Sequence, residues 1–173
     1  MKRIITATVQ DRAGVLNRVT GLLQRRQFNI ESISVGPTET EGVSRMTLVV
    51  EIEDEQRLEQ VTKQLNKQID VLKVSDITDK AVVVRELALI KVASSSQLRS
   101  EINGIIDPFR AIVIDVSKDS LAVQITGKPE KIDALLELLR PYGIKEIART
   151  GLTALLRGHQ PHVNELTHHT LQK

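Results

Sequence analysis

The chain has 173 residues, 40% apolar and 27% charged, with 24 basic against 22 acidic side chains and a net charge of +2. That length accommodates one medium domain or two small ones with an ordinary globular core, and the near balance of charge removes the reason to expect nucleic acid as the main partner. Cysteine is absent, which excludes a disulfide framework, a thiol nucleophile and a thiolate zinc site.

The opening MKRIITATVQD lacks the apolar core of a signal peptide, and no run approaches the roughly 18 apolar residues of a membrane span. A soluble, cytoplasmic protein is expected. Ile5, Ala7 and Val9 alternate as in a half-buried strand. Val15, Val19, Leu22 and Leu23 then fall at i, i+4, i+7 and i+8, one face of a helix. Strand patterns follow over residues 30–35 and 44–52, with a turn from Gly36-Pro37 to Gly42 between them. Asp54 is placed to cap a helix carrying Leu58, Val61 and Leu65, and residues 71–77 close the unit as a strand.

The order then repeats. Residues 87–92 read as a strand, and Ser94-Ser95-Ser96 is placed to cap a helix bearing Leu98, Ile102, Ile105, Ile106 and Phe109. Ile112, Ile114 and Val116 alternate, as do Leu121, Val123 and Ile125, with Lys118-Asp119-Ser120 as the turn between them. Pro129 suits the first turn of a helix with Ile132, Leu135, Leu136 and Leu139, and Gly143 suits its C-terminal stop. Residues 144–148 make a last short strand. The reading is α+β: two ferredoxin-like βαββαβ domains, over residues 1–79 and 80–158, joined near residues 79–84. From Thr150 the periodicity fails, and residues 159–173, with His162, His168 and His169, read as a flexible polar tail.

This element order hosts many functions, so the side chains must discriminate. An RNA-recognition domain stacks bases on sheet aromatics, whereas the only aromatic residues are Phe28, Phe109 and Tyr142, and the two phenylalanines fall near helix ends. A metal carrier of this order needs a thiol pair in its first loop, and histidines in a polar tail are ordinarily solvated. Autonomous catalysis needs a nucleophile or an acid–base pair; Asp11 with Arg12 is a possible pair, with no Ser, Cys or His beside it. No catalytic or metal-ligating residue is assigned.

A ligand-binding regulatory role remains. Glycine at Gly14 lets a ligand approach the main chain, and the amides of Val15 and Leu16 would be unpaired at a helix N-terminus that attracts carboxylate. Asp11 by charge and Asn29 by its amide oxygen can receive an ammonium group. Together they make a receptor for an amino acid. The plainer alternative is that Gly14 eases a turn and Asp11 caps the helix.

Asp11-Arg12-Ala13-Gly14-Val15-Leu16 resembles the D-x-x-G-x-L turn of ACT domains, which are small-molecule-sensing βαββαβ modules. The longer run AGVLNRVTGLLQRRQFNIESISVGPTE, with SRMTLVV after it, is similar to the regulatory small subunits of acetolactate synthase, also called acetohydroxyacid synthase. RELALIKV, FRAIVIDVS and EIARTGLTALLRG resemble that family's C-terminal domain, so the likeness covers residues 1–158 and stops before the tail.

The resemblance implies a chain with no active site and no cofactor of its own. Its partner is a catalytic large subunit that uses thiamine diphosphate, Mg²⁺ and FAD to condense pyruvate with pyruvate or 2-oxobutyrate. The small subunit raises that activity and confers feedback inhibition by valine or another branched-chain amino acid. It forms homodimers with effector sites between ACT domains, carried here onto Asp11, Gly14, Val15, Asn29 and Ile30. Family members vary between Asp and Asn at the position of Asp11. A dimer also has a physical motive. A four-stranded sheet with helices on one face leaves strand edges exposed, and edge-to-edge pairing would bring the first turn of one chain near the second strand of another. A stand-alone amino-acid sensor without an enzyme partner is the alternative.

Overall fold

The computed structural model describes residues 1–158; the expected flexible tail and its three histidines lie outside the described residues. The first unit runs β1 (Lys2–Gln10), α1 (Val15–Arg25), β2 (Asn29–Pro37), β3 (Val43–Glu51), α2 (Glu55–Asn66) and β4 (Val71–Asp76). The second runs β5 (Val82–Ala93), α3 (Arg99–Ile106), β6 (Ile112–Val116), β7 (Ser120–Gly127), α4 (Pro129–Leu139) and β8 (Ile144–Arg149), and a further strand, β9 (Thr153–Leu156), follows. Both sheets are antiparallel, in the orders β2-β3-β1-β4 and β6-β7-β5-β8. This is the twice-repeated ferredoxin-like order that the periodicity predicts.

The helical stripes make the two cores. Val15, Val19, Leu22 and Leu23 of α1 and Val61 and Leu65 of α2 are buried with Ile5, Ala7 and Val9 and with Met46, Leu48 and Val50. In the second unit Ile132, Leu135, Leu136 and Leu139 of α4 are buried with Ile102, Ile106, Ile90 and Val123. Each fully buried side chain of this size contributes about 1.5–3 kcal/mol. The Asp54 carboxylate caps α2 as expected, accepting the Arg57 amide at 2.7 Å, and Pro129 stands in the first turn of α4.

Three local expectations fail. The serine run does not cap α3: that helix opens at Arg99 behind Leu98, and no side chain caps it. Ser94 instead donates to the Ser95 carbonyl at 3.1 Å, and the Leu98 amide returns to that same carbonyl, also at 3.1 Å. Short hydroxyl side chains bonded to nearby main chain build a turn and delay the helix. Phe109 falls in a 3-10 turn, Asp107–Phe109, because Pro108 ends the α-helical hydrogen bonding. Between the two units, β5 begins at Val82, within the expected junction of residues 79–84.

The third concerns Thr150 onward. Residues expected to be aperiodic form β9, which pairs antiparallel with the start of β5, Val82 opposite Leu156 and Arg85 opposite Thr153. Leu152, just before β9, and Ala154 within it are 6% and 1% exposed and pack with Val49 and Ile77, against Ile4, Val82, Val84 and Leu156. Ile4 and Val49 alternate with the core residues Ile5, Leu48 and Val50, so they point from the opposite face of the first sheet. The β5–β9 ribbon therefore covers apolar surface that the helices leave bare. Arg149 locks the end of this path, with two 2.7 Å bonds to buried Glu86 and one to Asp133. Hydrogen bonding to Glu86 raises its already high affinity for the proton despite the opposing effect of burial.

Candidate functional site

β1 delivers the chain into a tight turn before α1. The Asp11 amide donates to the Gly42 carbonyl at 2.8 Å and the Arg12 amide to Gln10 at 3.0 Å. Gly14 occupies the N-cap position of α1 with φ 84° and ψ −5°, the left-handed region where a Cβ clashes with the main chain. No side chain caps this helix, so Asp11 is not its cap. The turn also differs from the expectation of two free amides. Val15 donates to the Arg12 carbonyl at 3.3 Å, while the Leu16 amide has no partner among the described residues. Val15 itself is 3% exposed and fills the core; only its main chain borders the turn.

The sequence reading missed a neighbour, Arg18. One turn into α1, its guanidinium lies over Gly14, and it is paired with the Asp70 carboxylate. Its side chain remains half exposed. A cation beside free helix-terminal amides is what a carboxylate ligand requires. The sequence signal was available in the i, i+4 spacing of Gly14 and Arg18.

Asn29 and Ile30 lie elsewhere. Asn29 is opposite Glu51, which is in turn opposite Lys2, at the start of β1. Gly14 follows the other end of β1, where Gln10 is opposite Val43. Eight strand residues at ~3.3 Å each separate the two ends by roughly 25 Å. A single chain thus does not gather Asp11, Gly14 and Asn29 into one amino-acid site. Each end is an open half: Asp11, Gly14 and Asn29 are exposed, and Ile30 is half-buried against the core. Among the described residues β2, which carries the second half, pairs with β3 alone and is an edge strand of its sheet.

β2 is also where the second unit touches the first. The Ser34 and Thr153 hydroxyls are 2.9 Å apart, and the Leu152 amide donates to Ser32 Oγ at 3.4 Å. No helix among the described residues is long and apolar enough to cross a membrane. No group of three or more His, Cys, Asp and Glu residues there is arranged to hold a metal.

Comparison with known proteins gives the same family for both units. Residues 5–73 match the AHAS small subunit-like ACT domain, and residues 85–158 match the small subunit of acetolactate synthase. The chain is 68% identical over 160 residues to the acetolactate synthase small subunit of Bacillus subtilis, covering 92% of this chain and 93% of that one. It is 56% identical over 156 residues to the probable acetolactate synthase small subunit of Methanothermobacter thermautotrophicus, covering 90% and 92%. Among solved structures, the acetolactate synthase small subunit of Thermotoga maritima superposes with a TM-score of 0.85 at 37% identity, covering 92% of this chain and 99% of that one.

Proposed function

Because this chain belongs to the family of acetolactate synthase small subunits, we propose that it is a non-catalytic regulatory subunit that activates the large subunit and makes it sensitive to valine. Thiamine diphosphate, Mg²⁺ and FAD belong to the large subunit in this reading, and this chain binds none of them. The effector site is shared between two copies of the chain.

One observation carries the reading: the two halves of the expected effector site stand at opposite ends of one sheet, and the half bearing Asn29 lies on a free edge strand. A two-fold axis through the middle of β2 pairs that strand with its own copy in antiparallel fashion. Asn29 of one chain then lies beside Pro37 of the other, the end at which the Gly14 turn stands. Two equivalent sites arise, each with one turn and one strand start. The Leu16 amide and Arg18 receive the effector's carboxylate. Asp11 and the Asn29 amide oxygen of the other copy receive its ammonium, and half-buried Ile30 offers an apolar contact to the isopropyl group. A ligand held by both chains binds one subunit arrangement better than another, and about 1–3 kcal/mol of such coupling shifts the equilibrium between arrangements about 5- to 150-fold.

The test is reconstitution with purified large subunit across a valine titration, alongside affinity purification of the chain from its native cell. Activation without valine, inhibition with it, and recovery of a thiamine-diphosphate enzyme are expected. A solitary dimer that binds amino acids and recovers no enzyme would establish the stand-alone sensor instead.

A further inference from the structure

One concavity lies in the second unit, away from the residues of the proposed effector site. About 530 Å³ in volume, it is bordered by Arg85 of β5, by Arg110, and by Lys128 and Lys131 at the start of α4, with Glu130 the one carboxylate on its wall. Four cations against one anion leave a net charge of 4 − 1 = +3. Some cations elsewhere pair with carboxylates, as Lys91 does with Glu146, Lys145 with Asp119 and Arg149 with Glu86 and Asp133, while others stand singly on the surface; what distinguishes this hollow is that four gather on one wall. These four have none within salt-bridge distance among the described residues. Arg85 donates to the adjacent Val84 carbonyl at 2.7 Å, and Lys131 to the Thr126 carbonyl at 3.2 Å.

Lys131 is also held in place. Its stem crosses the end of β7 so closely that a Cβ on Gly127 would stand 2.6 Å from Lys131 Cδ. Gly127 is buried and side-chain free, and that is what seats this cation on the wall. Arg85, Arg110 and Lys128 are exposed around the same hollow, and gathering like charges there raises the local positive potential that an anion meets. The uncapped N-terminus of α4 adds partial positive charge in the same place.

We propose that this concavity binds a chain of two or three linked phosphates. The charge decides the class. A single phosphate carries roughly −1.5 to −2 at neutral pH and leaves the +3 hollow under-compensated, whereas linked phosphates present enough charge to match it. A zwitterionic amino acid, with no net charge, gains little here, so the site is chemically distinct from the proposed valine site. Its position gives it a route to that site. Arg85 and Thr126 also border a second concavity, of about 540 Å³, which reaches Ser34 and Val35 of β2. A ligand that draws Arg85 toward α4 acts one strand away from the edge that the dimer uses.

The experiment is calorimetric titration of the full chain, in 0.15 M salt, with orthophosphate, pyrophosphate, tripolyphosphate and an organic diphosphate ester. One tripolyphosphate per chain, held at least about tenfold more tightly than orthophosphate, is expected; at that ionic strength charge attraction alone is screened beyond about 8 Å. Arg85→Gln combined with Lys128→Gln should weaken it at least tenfold, with Lys63→Gln, on the remote exposed face of α2, without effect. Equal affinity for pyrophosphate and its ester identifies the bare phosphate chain as what is recognised; tighter binding of the ester identifies an organic group seated beside it. Absence of saturable binding, or binding indifferent to the double variant, overturns the proposal. So does a double variant that loses activation of the large subunit when the wild-type chain binds no tripolyphosphate, which would assign the patch to protein docking. A valine titration of the same samples reports separately on the effector site.

Discussion

The Arg18 guanidinium lies 3.2 Å from the point that a Cβ on residue 14 would occupy. Gly14 is therefore required twice, by its left-handed backbone and by the cation above it. Gly14→Asp should cost about 1–2 kcal/mol of stability for the positive φ. Its carboxylate would draw Arg18 from Asp70 and fill the place of the ligand's own carboxylate. Valine inhibition should disappear while activation of the large subunit persists, read in the reconstituted assay. Full inhibition at the valine concentration effective for the wild-type chain would move the effector site elsewhere.

Asn29→Ala should weaken valine binding by about 1–3 kcal/mol, the cost of leaving a ligand group unpaired. A stronger test mixes it with Gly14→Asp. In a two-fold dimer with shared sites, each mixed dimer has one site with both lesions and one with neither. Random exchange of the two variants should then restore high-affinity valine binding in about a quarter of all sites. If mixing restores nothing, the two residues do not belong to sites shared between chains.

Gly151 holds the β9 ribbon against β2. Its φ is +76°, and a Cβ would meet Ser32 Cβ at 3.2 Å and the Ile33 carbonyl at 3.4 Å. Gly151→Val should lower the stability by about 1–3 kcal/mol, through backbone strain and displacement of the ribbon. Urea unfolding measures it, and a midpoint equal to wild type would show that β9 contributes little to the packing of the two units.

Arg149→Lys replaces a planar fork with a point charge. One ammonium cannot reproduce the paired bonds to Glu86, which is 6% exposed, together with the bond to Asp133. A loss of about 2–3 kcal/mol is expected from the poorly compensated buried carboxylate. Thermal unfolding measures it, and a midpoint equal to wild type would show that the paired bonds to Glu86 contribute little.

Purified chain alone should make no acetolactate from pyruvate, even when supplied with thiamine diphosphate, Mg²⁺ and FAD. Turnover by a sample shown free of large subunit would refute the regulatory reading outright.

Local signals carried much of the architecture. The i, i+4, i+7 spacing from Val15 to Leu23 and the cap at Asp54 are dictated by side chains within a turn or two of one another, so they are legible in one dimension. The same holds for the Gly14 turn, where glycine marks a left-handed residue. The serine run misled because serine favours both helix caps and turns, and the choice depended on Leu98 and the chain beyond it. The i, i+4 spacing places Arg18 near Gly14, but its pairing with Asp70, 52 residues away, is decided only by the fold.

By itself, then, the sequence determined two βαββαβ units, their buried helical faces, and the glycine turn, since each follows from periodicity or a local backbone requirement. Only the tertiary structure decided the rest. β9 is four residues long, too short for alternation to stand out, and becomes a strand because the start of β5 and the bare face around Val49 receive it. The register of β1, β2 and β3 places Asn29 and Gly14 at opposite ends of a sheet. Two residues 15 positions apart in the chain are thereby held roughly 25 Å apart in space, because an antiparallel sheet spreads its strand ends by the full strand length.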